Sequence, residues 1–430
     1  MSNAPEIFGM PAEKGRWGLV ALGLLINLCL GSIYSWSVFV SPLAAYFTAT
    51  LGREVTAGEV LLPFSVFLAF FAVAMPLTGK YIERYGPRRV TIVGGLLTGL
   101  GWLLASTATS VEALYVVYGV IGGLGVGIAY GVPVAVATRW FPDRRGLAVG
   151  LTLLGFGFSA FVTANAAGAL IAAYGVMATF RVFGAALIAV LVLAALPLRF
   201  PPGGWRPKGW SPPPPGTGTA PISECDRRAM LRTGAFYGLF ACYFIGCLAG
   251  LAAISIAKPV GTEVAGVEAG LATVLVGFFA VFNGIGRPAF GSLADRITPQ
   301  KAAMLTFVLI AAASVLMWLV PGVPAYVLAF AVLWGCLGGW LAIAPTATAS
   351  YFGTCDYPRC YGVVFLAYGA GAIAGPQLAG FVREATGTYL GVFPLVAALA
   401  AVGFAAAWLL MRPPAGVPGS VPPAGAPVEK

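Results

Sequence analysis

The side chain with the most chemistry to account for is Arg287, in the stretch Phe279–Arg296, FAVFNGIGRPAFGSLADR. It stands in an apolar run bounded by Glu268 and Asp295. At about 1.5 Å per helical residue it lies roughly 12 Å from Asp295 and roughly 28 Å from Glu268. That depth is within a hydrocarbon layer, and Arg287 is the only charge expected there. An arginine so placed costs at least about 2.5 to 3.5 kcal/mol, so something must compensate it. A guanidinium offers a planar fork of donors matched to a carboxylate and stays charged at any accessible pH. Asn283 is one turn earlier on the same helix face. Gly284, Gly286 and Pro288 let the helix approach its neighbours closely or bend.

The elements that must position these residues follow from composition. Of 430 residues, 59% are hydrophobic and 9% charged. Apolar runs of membrane-spanning length recur along the whole chain, which predicts an all-α, multi-pass membrane protein with no room for a soluble domain. The predicted spans are Gly18–Tyr46, Ala57–Tyr81, Val90–Thr107, Ala113–Trp140, Gly146–Tyr174 and Ala178–Leu198. Six more follow near 233–257, 266–293, 302–320, 324–352, 361–382 and 388–411. The net charge of +10 could point to nucleic acid, but its distribution does not. With both termini in the cytosol, the basic residues concentrate on that side, leaving only Arg53, Arg181, Lys258 and Arg383 outside, as the positive-inside rule expects. Trp17, Trp205 and Trp210 are expected as interfacial anchors. No small-residue cleavage site follows the first apolar core, so the first span is expected to remain.

Seven cysteines are scattered, and no histidine is present. Cys29, Cys242, Cys247 and Cys336 fall in apolar helices and are expected to pack as small hydrophobes. Cys355 and Cys360 share a short cytosolic loop, where a disulfide would face a reducing compartment and a zinc site would lack histidine. No metal or cofactor is expected.

The chain divides into a polar lead at 1–16, a first six-helix bundle at 17–199, a proline-rich linker at 200–232, a second bundle at 233–412 and a disordered tail at 413–430. Residues 200–232 include PPGGWRPKGWSPPPPGTGTAP, a flexible connector by composition. The two bundles are repeats. GKYIERYGPRR at Gly79 matches GSLADRITPQK at Gly291, and one constant shift also superposes Pro76 on Pro288, Gly123 on Gly335, Gly127 on Gly339 and Pro133 on Pro345. A slightly larger shift puts Gly155 and Gly157 on Gly369 and Gly371. Repeated bundles of this kind bind substrate at their interface near the midplane and work by alternating access. Arg287 matches Met75, so the charge belongs to one half only.

The G-x-x-x-[DE]-R-x-G-x-[RK] loops resemble the signature of the major facilitator superfamily. That resemblance implies a cytosolic gate of acid–base pairs, carried here by Glu83, Arg84, Asp295 and Arg296; the second copy has Thr298 where the first has glycine. WFPDRRGLAVGLTLLGFG (Trp140–Gly157), GSIYSWSVF and NGIGRPAFGSLADR resemble the monocarboxylate transporters and the bacterial oxalate–formate antiporters. In both branches the arginine of the eighth span binds substrate carboxylate, which carries over to Arg287, and the bacterial branch implies the cell (inner) membrane. Animal monocarboxylate transporters have an aspartate and a lysine where this chain has Asn283 and Trp36. The oxalate branch has a second cation where this chain has Tyr368. One cation suits one carboxylate, which favours lactate, pyruvate, glycolate or formate over a dianion.

Further candidates for the site are Tyr34, Tyr130 and Tyr368, hydroxyl-bearing rings in glycine-rich helices, with Trp340 and Phe365 as apolar walls. Leu154, which matches Tyr368 in the repeat, is a candidate contact for a substrate methyl. Rings of these types also pack without any ligand, and a structural ion pair is the ordinary alternative for Arg287, although no carboxylate is predicted at its depth. All fifteen acidic residues lie at helix ends or in loops. A co-transported proton would therefore ride on the substrate carboxylate; alternatively, the unneutralised Arg287 would hold back the empty carrier and enforce exchange. An enzyme would need a nucleophile, base or metal cluster that is not visible. A channel would need repeated polar groups along a pore, and a sensor with an inert core would show no flux.

Overall fold

The computed structural model describes residues 6–141, 143, 145–203, 205–208, 227–352 and 357–412. The expected disordered tail, residues 209–226 of the linker, Trp210 and Cys355 lie outside them. A two-strand hairpin, β1 (Glu6–Ile7) and β2 (Met10–Pro11), precedes α1 (Ala12–Leu30). The helix thus starts inside the segment expected to be a polar lead. The reason is Arg16, which is buried and donates to both carboxylate oxygens of Asp143 at 2.6 and 2.8 Å and to the Trp140 carbonyl at 3.0 Å. Its guanidinium also lies over Phe141, and Trp205 packs edge-on against Trp140 at 4.8 Å. Trp205 therefore helps to cover an ion pair, a contact the anchor reading had not given it.

After α1 the first span breaks at a 3-10 turn, Gly31–Ser35, and resumes as α2 (Ser37–Leu51), which stops at the left-handed Gly52. The next helix, α3 (Ala57–Ala105), opens with a capping box: Thr56 accepts from the Glu59 N–H while the Glu59 carboxylate accepts from the Thr56 N–H. It holds the second and third predicted spans, separated by a kink at Gly86. The fourth comprises α4 (Val111–Leu114), a π-helical stretch Tyr115–Gly122 and α5 (Gly123–Trp140). Then come α6 (Arg145–Tyr174) and α7 (Val176–Ala195). The second half holds a short α8 (Arg227–Met230), α9 (Gly234–Glu263), α10 (Ala269–Ile297), α11 (Pro299–Leu319), α12 (Val323–Phe352), α13 (Tyr357–Thr386) and α14 (Val392–Leu409). Among the described residues, eleven segments are long and apolar enough to cross a membrane, against twelve expected. The difference is the second arm of α3, whose first turn carries Arg88 and Arg89 and shortens its apolar run.

The halves meet along two seams held close by glycine. On the α3–α13 seam a Cβ at Gly380 would fall 2.6 Å from the Gly58 Cα, one at Gly369 2.7 Å from the Ala72 Cβ, and one at Gly362 2.6 Å from the Pro76 Cβ. On the α6–α10 seam a Cβ at Gly157 would fall 2.8 Å from the Gly284 Cα, and one at Gly168 2.6 Å from Thr273. At the end assigned to the outside, the Glu384 carboxylate of α13 accepts from the Gly58 N–H of α3 at 2.9 Å, so one half caps a helix of the other.

The repeat extends to the backbone. Gly86 has φ 79° and ψ 164°, and its counterpart Thr298 has φ 93° and ψ 146°. A β-branched residue there is strained by about 1–3 kcal/mol. Its hydroxyl recovers part of this by accepting from the Lys301 N–H at 3.4 Å at the start of α11. Replacing an N-cap threonine by glycine loses only a few tenths of a kcal/mol. Thr298→Gly is thus expected to stabilise the protein by about 1 kcal/mol, raising the thermal unfolding midpoint of the detergent-purified protein; a lowered midpoint would show that the hydroxyl outweighs the strain.

Candidate functional site

Two glycine contacts set the position of Arg287. A Cβ at Gly286 would fall 2.2 Å from the Gly335 carbonyl oxygen of α12, and Gly284 is held against Gly157 of α6. α10 is thereby clamped between its own half and the other, and Arg287 lies at the clamp, 7% exposed. One of its terminal nitrogens donates to the Leu153 carbonyl of α6 at 3.3 Å, across the seam. Its Nε and its other terminal nitrogen are buried without a partner. Among the described residues no carboxylate pairs with it. The Phe156 ring centroid is 5.7 Å from the guanidinium carbon, a weak cation–π contact. A guanidinium has five N–H donors, so most of its hydrogen-bonding capacity is open to an incoming acceptor.

Through Phe156 this charge adjoins a cluster of rings drawn from both halves. Tyr34, in the 3-10 turn, and Tyr368, on α13, share a hydroxyl–hydroxyl hydrogen bond of 3.1 Å across the interface, and both are fully buried. Phe156 sits edge-on to Tyr34 at 5.1 Å and to Tyr130 at 5.2 Å. Phe71 of α3 bridges the halves, 5.1 Å from Tyr130 and 5.8 Å from Tyr368. Phe365 stacks on Tyr368 at 4.9 Å. Arg287, Tyr34, Tyr130, Tyr368 and Phe365 thus converge as the sequence suggested.

The other candidates sit at the margin. Asn283 is buried and donates to the Trp334 carbonyl of α12 at 3.0 Å, while its amide oxygen has no partner and faces the Gly157 seam. It braces α10 one turn from Arg287. Leu154 packs toward Gly284 in the same seam. Trp340 lies behind the ring cluster, against Gly246 of α9 and Phe307 of α11, with Tyr243 between it and Phe365. Of the gate residues, Arg84 and Arg296 are exposed, and the Arg84 guanidinium lies over Tyr85. The side chains of Glu83 and Asp295 lie outside the described part.

Phe71 and Phe156 were not anticipated, because neither carries a polar group to mark it among 28 phenylalanines. A signal existed for the first: under the repeat shift that pairs Arg287 with Met75, Phe71 is the counterpart of Asn283. Lys258, expected just past the end of the seventh span, lies inside α9, before its end at Glu263, and is half-buried.

The hydroxyl pair yields a direct test. Tyr34→Phe or Tyr368→Phe alone leaves one buried hydroxyl unpaired and is expected to cost about 1 to 2 kcal/mol, whereas the double replacement costs less than the sum. Thermal or denaturant unfolding of the three variants checks this, and strict additivity would show that the two hydroxyls do not interact.

The family model described as Major Facilitator Superfamily matches residues 24–352 and 239–429. The chain is 29% identical over 368 residues to the oxalate:formate antiporter of Oxalobacter formigenes, covering 84% of each chain. It is 28% identical over 398 residues to monocarboxylate transporter 13 of Bos taurus, covering 90% of this chain and 88% of that one. In fold it is similar to a bacterial homologue of the human lysosomal transporter Spinster, solved in an inward-facing and occupied conformation. That likeness has a TM-score of 0.68 at 16% identity, over 92% of this chain and 97% of that one.

Proposed function

This chain belongs to the major facilitator superfamily, and on that premise we propose that it carries small organic monocarboxylates, of the lactate and pyruvate type, by alternating access between its two six-helix bundles. The observation that carries this reading is the Arg287 guanidinium, buried at the interface with two nitrogens unpartnered and no carboxylate beside it. A charge in that setting is stabilised when an anion arrives. The names of the relatives, an oxalate:formate antiporter and a monocarboxylate transporter, agree with a carboxylate as that anion.

Each part of the site has a role in this scheme. The carboxylate takes the open donors of Arg287 in a bidentate, charge-assisted pair, which is roughly twice as strong as the neutral bond to the Leu153 carbonyl. Since that bond crosses the α6–α10 seam, loading the site alters what ties one half to the other. Tyr34 and Tyr368 turn their hydroxyls to the substrate, and Tyr130, Phe71, Phe156 and Phe365 cover its short alkyl part. Asn283 holds α10 against α12, Leu154 lines the seam and Trp340 backs the cluster. Glu83, Arg84, Asp295 and Arg296 act as the cytosolic gate. Among the described residues only Arg287 brings a positive charge to the ring cluster, so a monoanion is neutralised whereas a dianion keeps a charge, and the discrimination runs against oxalate.

No acid lies deep among the described spans to hold a proton, so in this scheme the substrate carries it and the process is symport in a multi-pass protein of the cell membrane. Exchange is the second reading, favoured by the uncompensated charge of Arg287, which resists the return of the empty carrier.

Labelled lactate uptake into proteoliposomes tests the proposal. Arg287→Ala is expected to abolish uptake. Arg287→Lys, which keeps the charge but loses the fork, is expected to lower uptake about tenfold or more, equivalent to about 1.4 kcal/mol. Both variants should keep the wild-type unfolding midpoint within a degree or two. Formate and pyruvate should compete and oxalate should not. Normal uptake by Arg287→Ala would remove Arg287 from the mechanism, and uptake strictly dependent on an internal anion would replace symport by exchange.

A further inference from the structure

Arg287 is not the only membrane cation that lacks a counter-charge. Lys258 lies in α9, a helix otherwise lined by apolar and small residues from Gly234 to Gly261, and its side chain is half-buried. Among the described residues it has no ion pair. Its surroundings make this unusual. Arg53 is paired with Glu59 at 2.6 Å and Arg383 with Glu263 at 2.8 Å, and Glu384 and Glu268 cap helix starts. Arg181 and Glu54 at that end are exposed, so Lys258 is the half-buried charge there left without an ion pair among the described residues.

The helical repeat says which way Lys258 faces. Cys247 packs on α13 at Gly371, one turn from Tyr368, where an added Cβ would fall 2.9 Å from its own. Positions 247, 251, 254 and 258 follow the spacing of one helix face, so Lys258 lies above Cys247, within about 20° around the axis and roughly 16 Å outward. Of the elements that pack on α9, the 3-10 turn and α2 come from the other half. The helical spacing puts Lys258 on the outward continuation of the face that carries Cys247. Its counterpart in the repeat is Tyr46, so this charge, like Arg287, belongs to one half only.

We infer that Lys258 is a transient anion-binding site on the outer approach, which catches the carboxylate of an incoming monocarboxylate and passes it toward Arg287. The inference rests on the carboxylate-carrier reading above. A half-desolvated ammonium attracts an anion more strongly than a fully hydrated one, because solvent screens it less. At roughly 16 Å outward of Cys247 it is too far to act as a second cation within the site, so it raises the capture rate and leaves the preference for a monoanion intact. Such steering falls with ionic strength. It acts on exchange with the outer solution, on release as on capture, because both directions of transport pass the same outer approach. The plain alternative is a lysine whose stem covers apolar surface while its ammonium reaches the outer interface; that lysine would have no charge-dependent effect on KM.

Lactate uptake by intact cells, which present the outer face alone, separates the two. Lys258→Gln is expected to raise KM for external lactate roughly threefold to tenfold with kcat nearly unchanged, and to flatten its dependence on ionic strength. Lys258→Arg should restore both. Should Lys258→Gln fold poorly, Lys258→Cys modified from outside with a cationic thiosulfonate should lower KM relative to the same protein modified with an anionic one, with reagent-treated wild type as reference. An unchanged KM in Lys258→Gln, an unchanged dependence on ionic strength, or equal effects of the two reagents would each overturn the inference while leaving Arg287 in place. A wild-type protein that moves no carboxylate would sink both readings together.

Discussion

An arginine buried between two bundles with most of its donors unused is costly, and the interface is arranged around that cost. The guanidinium has one neutral acceptor, the Leu153 carbonyl, and the face of a phenylalanine ring. Neither cancels a full charge. The adjoining rings exclude water and lower the local dielectric, so whatever anion does arrive is held more strongly than it would be in solvent. In the proposed carrier, binding and instability of the empty state thus have the same origin. An account that placed Arg287 in a permanent ion pair would have no such coupling.

The repeat shows how this asymmetry grew on a symmetric scaffold. Glycines at matching positions press the helices together in both halves, and even the unusual backbone at Gly86 recurs at Thr298, where threonine tolerates it at a cost. Against that background the polar pair Asn283 and Arg287 replaces Phe71 and Met75, and Lys258 replaces Tyr46. The changes all fall in the second half, those at Asn283 and Arg287 on a face that meets the first. Mechanical symmetry, which alternating access needs, is kept in the packing, while chemical asymmetry, which recognition needs, is confined to a few side chains.

Much of this was legible in the chain itself. Apolar length and the distribution of basic residues marked the spans, and the buried charge marked the candidate site, because both are large energetic terms that few arrangements satisfy. The convergence of Tyr34, Tyr130, Tyr368 and Phe365 followed from hydroxyl-bearing or aromatic residues placed among glycines. What escaped was decided by tertiary packing. Phe71 and Phe156 look like any other apolar residue until a ring is seen beside them, and Trp340 faces its own bundle because Gly246 makes room for it there. The start of α1 was missed because the Arg16–Asp143 pair joins residues far apart in sequence. Lys258 was counted toward topology, since a basic residue near a helix end is ordinarily just that.

The central claim, that a single guanidinium waits for a single carboxylate, is tested most directly by calorimetric titration of the purified protein with lactate. One site per chain is expected, with the heat of binding lost in Arg287→Gln although that variant unfolds at the wild-type temperature, and with oxalate bound at least tenfold more weakly than lactate by the wild type. Undiminished binding to Arg287→Gln, or oxalate bound more tightly than lactate, would contradict it.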